Sequence, residues 1–172
     1  MMKEVSSQNP PRAATVPDRW WADEMLGRLA RYLRMVGLDA AYRTGGSDDD
    51  VRRRSQAEGR TLLTRDRELA RRTPGSVLLM QPRIEDQWHE LQRRFPPWPN
   101  EPRFIRCTLC NGRLDAVSTD AGVAPLSEVP RNVLASGRPL YRCPDCRHLY
   151  WEGSHTDSMR RRLTRWSTEG TP

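Results

Sequence analysis

The chain has 172 residues, 36% of them apolar, with 29 basic against 22 acidic side chains and a net charge of +7. That length fits one ordinary domain, or one small domain with a module attached. No run reaches the roughly 18 apolar residues of a membrane span, and a pI near 9.9 favours polyanionic partners over acidic or neutral ones.

Nucleic acid ranks ahead of membrane as the polyanion, because no basic amphipathic terminal helix or lipidation signal is present. Residues 1–15, rich in Pro, Ser, Gln and Ala, read as a disordered lead-in and lack the apolar segment of a secretory signal. The chain is therefore expected to be cytoplasmic.

From residue 16 to residue 95 short apolar runs alternate with helical patterns. "RWWAD" is a strand reaching Asp23, and "EMLGRLARYLRMVG" a helix with Leu26, Leu29, Ala30, Leu33 and Val36 on one stripe and Gly37 as its stop. "LDAAYRT" is a second strand. "SDDDVRRRSQAEG" is a helix capped by Ser47 and closed at Gly59. "RTLLT" and "SVLLM" are the third and fourth strands, and "RDRELARRTPG" and "RIEDQWHELQRRF" the helices that follow them. Strands separated by helices of this length predict an α/β fold with a small parallel sheet. The proline-rich stretch 96–102 reads as a linker to a second module over 103–166, which ends in the helical pattern "TDSMRRRLTRW"; residues 167–172 read as a disordered tail.

The second module carries four cysteines as two pairs, Cys107/Cys110 and Cys143/Cys146. Two C-x-x-C knuckles suit one tetrahedral zinc ion, each turn presenting two thiolates; reduced free thiols are the competing reading. With no open coordination position the ion would be structural, folding a module too small for a good core.

In an α/β sheet, ligands bind beyond the carboxyl ends of strands. Asp23 follows the first strand, Asp66 the third, and Asp48, Asp49 and Asp50 open the helix after the second. Hard oxygen donors gathered there suit Mg²⁺ or Mn²⁺, which assist phosphodiester hydrolysis. Each also fits a simpler role: Asp23 and Asp66 as helix caps, and Ser47-x-x-Asp50 as a capping box. Arg28, Arg31 and Arg34, three apart, form one helix face that meets either solvent or phosphate.

"WADEMLGRLARYLRMVGLDA", "SDDDV", "GRTLLTRDRELARR", "CTLCNGRL" and "YRCPDCRHLYWEGSHTDSMRRRL" together resemble the Mut-seven C-terminal RNase domain family. The resemblance runs from Arg19 to Trp166. It implies a PIN-like nuclease domain followed by a four-cysteine zinc ribbon, with an acidic Mg²⁺ or Mn²⁺ site that hydrolyses RNA. Carried over, Asp23, Asp48 and Asp66 are the metal-binding, catalytic carboxylates and Glu68 a further acid. Asp49 and Asp50 crowd Asp48, and Arg147 stands where many second knuckles have glycine. On this reading Arg65 and Arg67 flank Asp66 to keep it ionised and meet phosphate, and Thr64 orients a ligand or water. Arg28 and Arg31 are further RNA-binding candidates, and His155, Arg142 and Arg160 to Arg162 would grip RNA from the ribbon; Trp151 is a further candidate but reads first as ribbon core.

The sequence thus predicts a metal-dependent ribonuclease with RNA as its partner. The alternatives are a non-catalytic RNA-binding or adaptor protein and a toxin of a two-component pair, whose protein partner the sequence does not name.

Overall fold

Four short runs of aromatic and aliphatic residues pair side by side in a computed structural model that describes residues 14–118 and 129–169. They are β1 (Arg19–Ala22), β2 (Asp39–Tyr42), β3 (Thr61–Thr64) and β4 (Val77–Leu78). The sheet order is β2-β1-β3-β4 with every pairing parallel. A turn of 3-10 helix (Glu24–Leu26) and α1 (Gly27–Met35) connect β1 to β2. Helices α2 (Asp48–Ala57) and α3 (Arg67–Arg72) make the next two crossovers, and α4 (Ile84–Arg94) follows β4. The chain leaves β1 toward β2 and then returns to β3 on the other side, so the connections reverse direction between β1 and β3. That point is where an open α/β sheet forms its ligand crevice.

Alternation along β1 decides the two faces, because successive strand residues point to opposite sides. Trp20 joins a core with Leu29 and Leu33 of α1 and with Trp88 and Leu91 of α4. Trp21 packs on the opposite face with Leu62 and Leu69. The predicted stripe of α1 is buried throughout: Leu26, Leu29, Ala30, Leu33 and Val36 are at most 1% exposed. Gly37, at φ +89°, ends the helix, with its N–H donating to Arg34 and that of Leu38 to Leu33. Gly27 opens α1 under the ring of Tyr42, where an added Cβ would lie 2.6 Å from ring atoms.

Beyond residue 102 a second sheet is antiparallel in order β5-β6-β7, from β5 (Asp115–Val117), β6 (Leu140–Arg142) and β7 (Leu149–Trp151), with α5 (Arg131–Ala135) before β6. The sequence pattern revealed neither β5 nor α5. Helix α6 (Ser154–Glu169) follows the ribbon in sequence, yet its Leu163 and Trp166 enter the core of the first sheet. Trp166 sits 4.9 Å from Tyr32, centroid to centroid. Trp98, inside the proline-rich 96–102 stretch, joins the same core, 5.6 Å from Trp88. Helix α6 also runs into the expected tail as far as Glu169, since Trp166 anchors its last turns and Ser167 Oγ donates to the Leu163 carbonyl. Expectations for residues 1–13 and 170–172 lie outside the described residues. Among those described, no helix is long and apolar enough to cross a membrane.

Candidate active site and metal centre

Asp23 and Asp66 emerge from the carboxyl ends of neighbouring strands, on either side of the point where the connections reverse. The Asp23 N–H donates to the Leu63 carbonyl at 2.9 Å, extending the β1–β3 ladder by one bond. Its side chain accepts twice, at Oδ1 from the Glu24 N–H (2.6 Å) and at Oδ2 from the Thr64 hydroxyl (2.7 Å). The same Thr64 Oγ1 accepts the Asp66 N–H at 2.9 Å. One fully buried hydroxyl therefore ties the two acidic positions together, and Asp23 keeps 8% of its surface open beside it.

Both strand-end aspartates act as caps, Asp23 accepting the Glu24 N–H at the head of the 3-10 turn. Asp66 caps α3 through Oδ1, which accepts the Leu69 N–H at 2.9 Å. Its Oδ2 takes no hydrogen bond among the described residues.

The aspartate triplet divides by its partners. Asp50 closes the capping box with Ser47 and pairs with Arg53 at 2.5 Å. Asp49 pairs with Arg52 at 3.5 Å and also with Arg72 of α3. Asp48 is exposed at the head of α2, with no hydrogen bond or ion pair to its carboxylate among the described residues. Glu68 is exposed and held by Arg71, whose Nε and Nη2 approach its two oxygens at 3.0 and 2.6 Å. That pairing keeps its carboxyl below the ordinary range.

The fold brings Asp23 and Asp66 to adjacent strand ends, but it does not gather Asp23, Asp48 and Asp66 into one ligand cluster. Among the described residues the four cysteines are the only group of three or more His, Cys, Asp or Glu suitably close for an ion. Arg65 is half-buried, its Nε without a partner among the described residues, while Arg67, Arg28 and Arg31 are exposed. Arg34 departs from the expected arginine face. It is 3% exposed, and it donates from Nε to Ala40 O (2.7 Å) and from Nη1 to the carbonyls of Thr108 and Leu109 (3.1 and 2.9 Å).

Sequence reasoning passed over Glu24, whose neighbour Asp23 carried the cap signal. Glu24 Oε2 accepts the Gly45 N–H at 3.4 Å, which joins the loops after β1 and β2. It also lines a depression of about 440 Å³ with Arg28, Arg31 and Tyr42.

The cysteine knuckles repeat one hydrogen-bond pattern. Cys107 N–H donates to Gly112 O and Asn111 N–H to Cys107 O; Cys143 N–H donates to His148 O and Arg147 N–H to Cys143 O. All four Sγ atoms lie within 4.8 Å of one another, with Cys107–Cys146 at 3.5 Å and Cys110–Cys143 at 3.4 Å. A tetrahedral Zn²⁺ with Zn–S near 2.3 Å sets its sulfurs roughly 3.8 Å apart, so the donor set fits one such ion. Burial pushes the Cys107 thiol up, but the Tyr150 hydroxyl and the amides of Cys110 and Leu109 outweigh it and hold the thiol at about 7. Gly112 lets the knuckles close, because a Cβ there would lie 2.1 Å from Asp145 Oδ2 and 3.1 Å from Cys143 Sγ.

The first knuckle also finishes the edge of the parallel sheet. Asn111 Oδ1 accepts the Ala40 N–H at 3.0 Å, and its Nδ2 donates to Asp39 Oδ1 at 2.7 Å. Asp39 in turn meets Arg60 at 2.6 Å and Arg106 at 3.0 Å. Burial works against the charged form of Asp39, but Asn111, Arg60 and Arg106 prevail and hold its carboxyl below the ordinary range.

Both knuckles turn through a left-handed residue, Asn111 at φ 74° and Arg147 at φ 66°. Asparagine tolerates that region and arginine does so at a cost of roughly 1–2 kcal/mol, partly offset by the chain entropy glycine gives up. Arg147→Gly is expected to keep stoichiometric zinc and gain about 0.5–1 kcal/mol in denaturant unfolding. A loss of stability would mean that the Arg147 side chain contributes contacts outweighing the turn.

No curated protein and no solved structure matches the chain. The family model described as the Mut7-C RNAse domain matches it over residues 18–163, a span that takes in both sheets, the carboxylates and all four cysteines. The chain belongs to the Mut7-C RNAse domain family.

Proposed function

We propose that this protein is a metal-dependent ribonuclease that hydrolyses RNA phosphodiester bonds at the carboxyl edge of its parallel sheet. The observation that carries the reading is the Asp23–Thr64–Asp66 linkage at the crevice between β1 and β3. Family membership supports RNA as the substrate.

Asp23 and Asp66 fit a hard divalent ion: both are carboxylates, Asp66 retains an uncommitted oxygen, and Asp23 is held in a defined orientation by two donors. Asp48 would complete the set from the head of α2. When bound, Mg²⁺ or Mn²⁺ supplies positive charge for water activation and for the leaving oxygen. The chain's own part is to fix Asp23 through Thr64, to hold Asp66 at the start of α3, and to meet phosphate with Arg65 and Arg67. Glu68 would assist only on leaving Arg71. The zinc is structural in this reading, and its thiolates suit a reducing compartment such as the cytoplasm.

One observation favours the second reading, a non-catalytic RNA-binding protein: Asp23, Asp48 and Asp66 form no ligand cluster of their own. The deciding experiment follows labelled RNA incubated with zinc-loaded protein, with Mn²⁺ or without added divalent metal, for wild type and Asp66→Asn. Mn²⁺-dependent cleavage lost at least a hundredfold in the variant, at unchanged zinc content, is the expected result. Tight binding with no cleavage under any metal would transfer the assignment to the RNA-binding reading.

A further inference from the structure

A second cavity, about 640 Å³, opens between α1 of the nuclease domain and the zinc ribbon with α6. Among the described residues its walls contain Arg28, Arg31, Arg103, Arg106 and Arg162 and no aspartate or glutamate. Two of the five arginines are committed: Arg106 to Asp39 at 3.0 Å, and Arg162 to the Tyr32 hydroxyl at 2.7 Å. Arg28, Arg31 and Arg103 are exposed, and no hydrogen bond or ion pair engages their guanidinium groups among the described residues. Three such cations on a wall without acidic side chains among the described residues produce a positive potential that a polyanion lowers.

The same walls supply flat rings. Phe104, Tyr150 and Trp151 line the cavity with His148 and His155, and both histidines are exposed. Cations interleaved with aromatic faces are what unpaired nucleotides need, phosphates meeting charge and bases stacking on rings. A cavity this size takes a few nucleotides and excludes a duplex. It also adjoins the depression bearing Glu24, the residue after Asp23: Arg28, Arg31 and Leu109 line both.

We infer that the cleft between α1 and the zinc ribbon is a binding track for single-stranded RNA, leading the strand past Arg28 and Arg31 to the Asp23 edge. This deepens the ribonuclease reading and takes the identity of the polyanion from it. The zinc ribbon thereby gains a role beyond stability, since β7 and the start of α6 form one wall of the track.

The test measures binding in the absence of Mg²⁺ and Mn²⁺, so that nothing is cut. Zinc-loaded full-length protein is titrated against a fluorescent oligouridylate of about twelve nucleotides. Arg103→Glu, remote from the carboxylates, is compared with Arg83→Glu, an equal charge change at an exposed arginine outside the cleft. Arg103→Glu is expected to weaken binding about five- to tenfold and to lower the slope of log K against log salt by roughly 0.7, while Arg83→Glu stays within about twofold of wild type. Oligouridylate carrying 4-thiouridine is expected to crosslink within residues 148–156.

Equal weakening by the two variants, or crosslinks elsewhere, would overturn the track. So would polyglutamate of matched charge competing as well as RNA, because the cleft would then be a site for acidic protein segments. If no metal supports cleavage while Arg103→Glu still discriminates, the ribonuclease reading fails and the track stands.

Discussion

Serine in place of Cys143 is expected to strip the protein of zinc, unfold the ribbon and lower the thermal midpoint by roughly 8–16 °C. The residue is fully buried and its Sγ lies 3.4 Å from that of Cys110. Serine is a poor ligand at neutral pH, so three thiolates would be left to hold the ion. Among the described residues the ribbon's buried core is small, Val129, Leu140 and Leu149 with Val117, Val133, Leu134 and Trp151 packed partly buried against it. A cluster this small does not offset the chain entropy of three strands, which is why metal affinity becomes folding energy in such modules. The damage would spread to the parallel sheet. Arg34 would lose the knuckle carbonyls it binds, and Asp39 would lose Asn111 and Arg106, keeping Arg60. A combined loss of about 4 kcal/mol gives the stated shift for a chain of this length. Calorimetry with zinc analysis checks it. A zinc-free variant melting within about 2 °C of wild type would mean that the ribbon folds on its own core.

The contrast between Arg34 and its neighbours explains what the sequence could and could not disclose. Arg28, Arg31 and Arg34 look like one face because they recur every third residue. Each three-residue step on an α-helix lags the axis by about 60°, so Arg34 stands about 120° from Arg28. That flank is the one the first knuckle covers, and only a contact between residues 34 and 109 reveals it. The strands and helices of residues 19–94 were legible because each is set by a local signal: short apolar runs, the Ser47 capping box, the glycine at position 37. The knuckles were legible from cysteine spacing, and Arg147 stood out through the resemblance, which has glycine there in many second knuckles; its φ of 66° bears out the strained turn. Trp98 and Trp166 were not, because proline content and a terminal position say nothing about burial against a distant sheet. The carboxylates fall between. Sequence placed Asp23 and Asp66 at strand ends but left capping and metal binding as rivals, and the structure shows a cap that leaves Asp66 Oδ2 unused.

Valine in place of Thr64 is expected to reduce Mn²⁺-dependent cleavage about ten- to a hundredfold and to raise the Mn²⁺ concentration giving half-maximal rate. Valine has nearly the shape of threonine but puts a methyl where the fully buried site has a hydroxyl. Two groups depend on that hydroxyl: the Asp23 carboxylate loses a donor at 2.7 Å, and the Asp66 N–H loses its acceptor at 2.9 Å. Leaving such groups unpaired costs roughly 1–3 kcal/mol of stability. Relaxation of the strand ends would release part of that strain by letting the two acidic residues drift apart. A displacement on the order of 1 Å is enough to lose two decades of rate when the reacting groups depend on fixed positions. Thr64 would thus act as a positioning residue, through Asp23 and Asp66. Thr64→Ser separates this from a general loss of packing, because it restores the hydroxyl and removes only the methyl. Recovery of the wild-type Mn²⁺ midpoint in Thr64→Ser, against its shift in Thr64→Val, would tie the hydroxyl to metal capture. Equal midpoints in all three proteins would assign Thr64 to fold stability alone, and Asp23 would have to be held at the edge by the Glu24 amide.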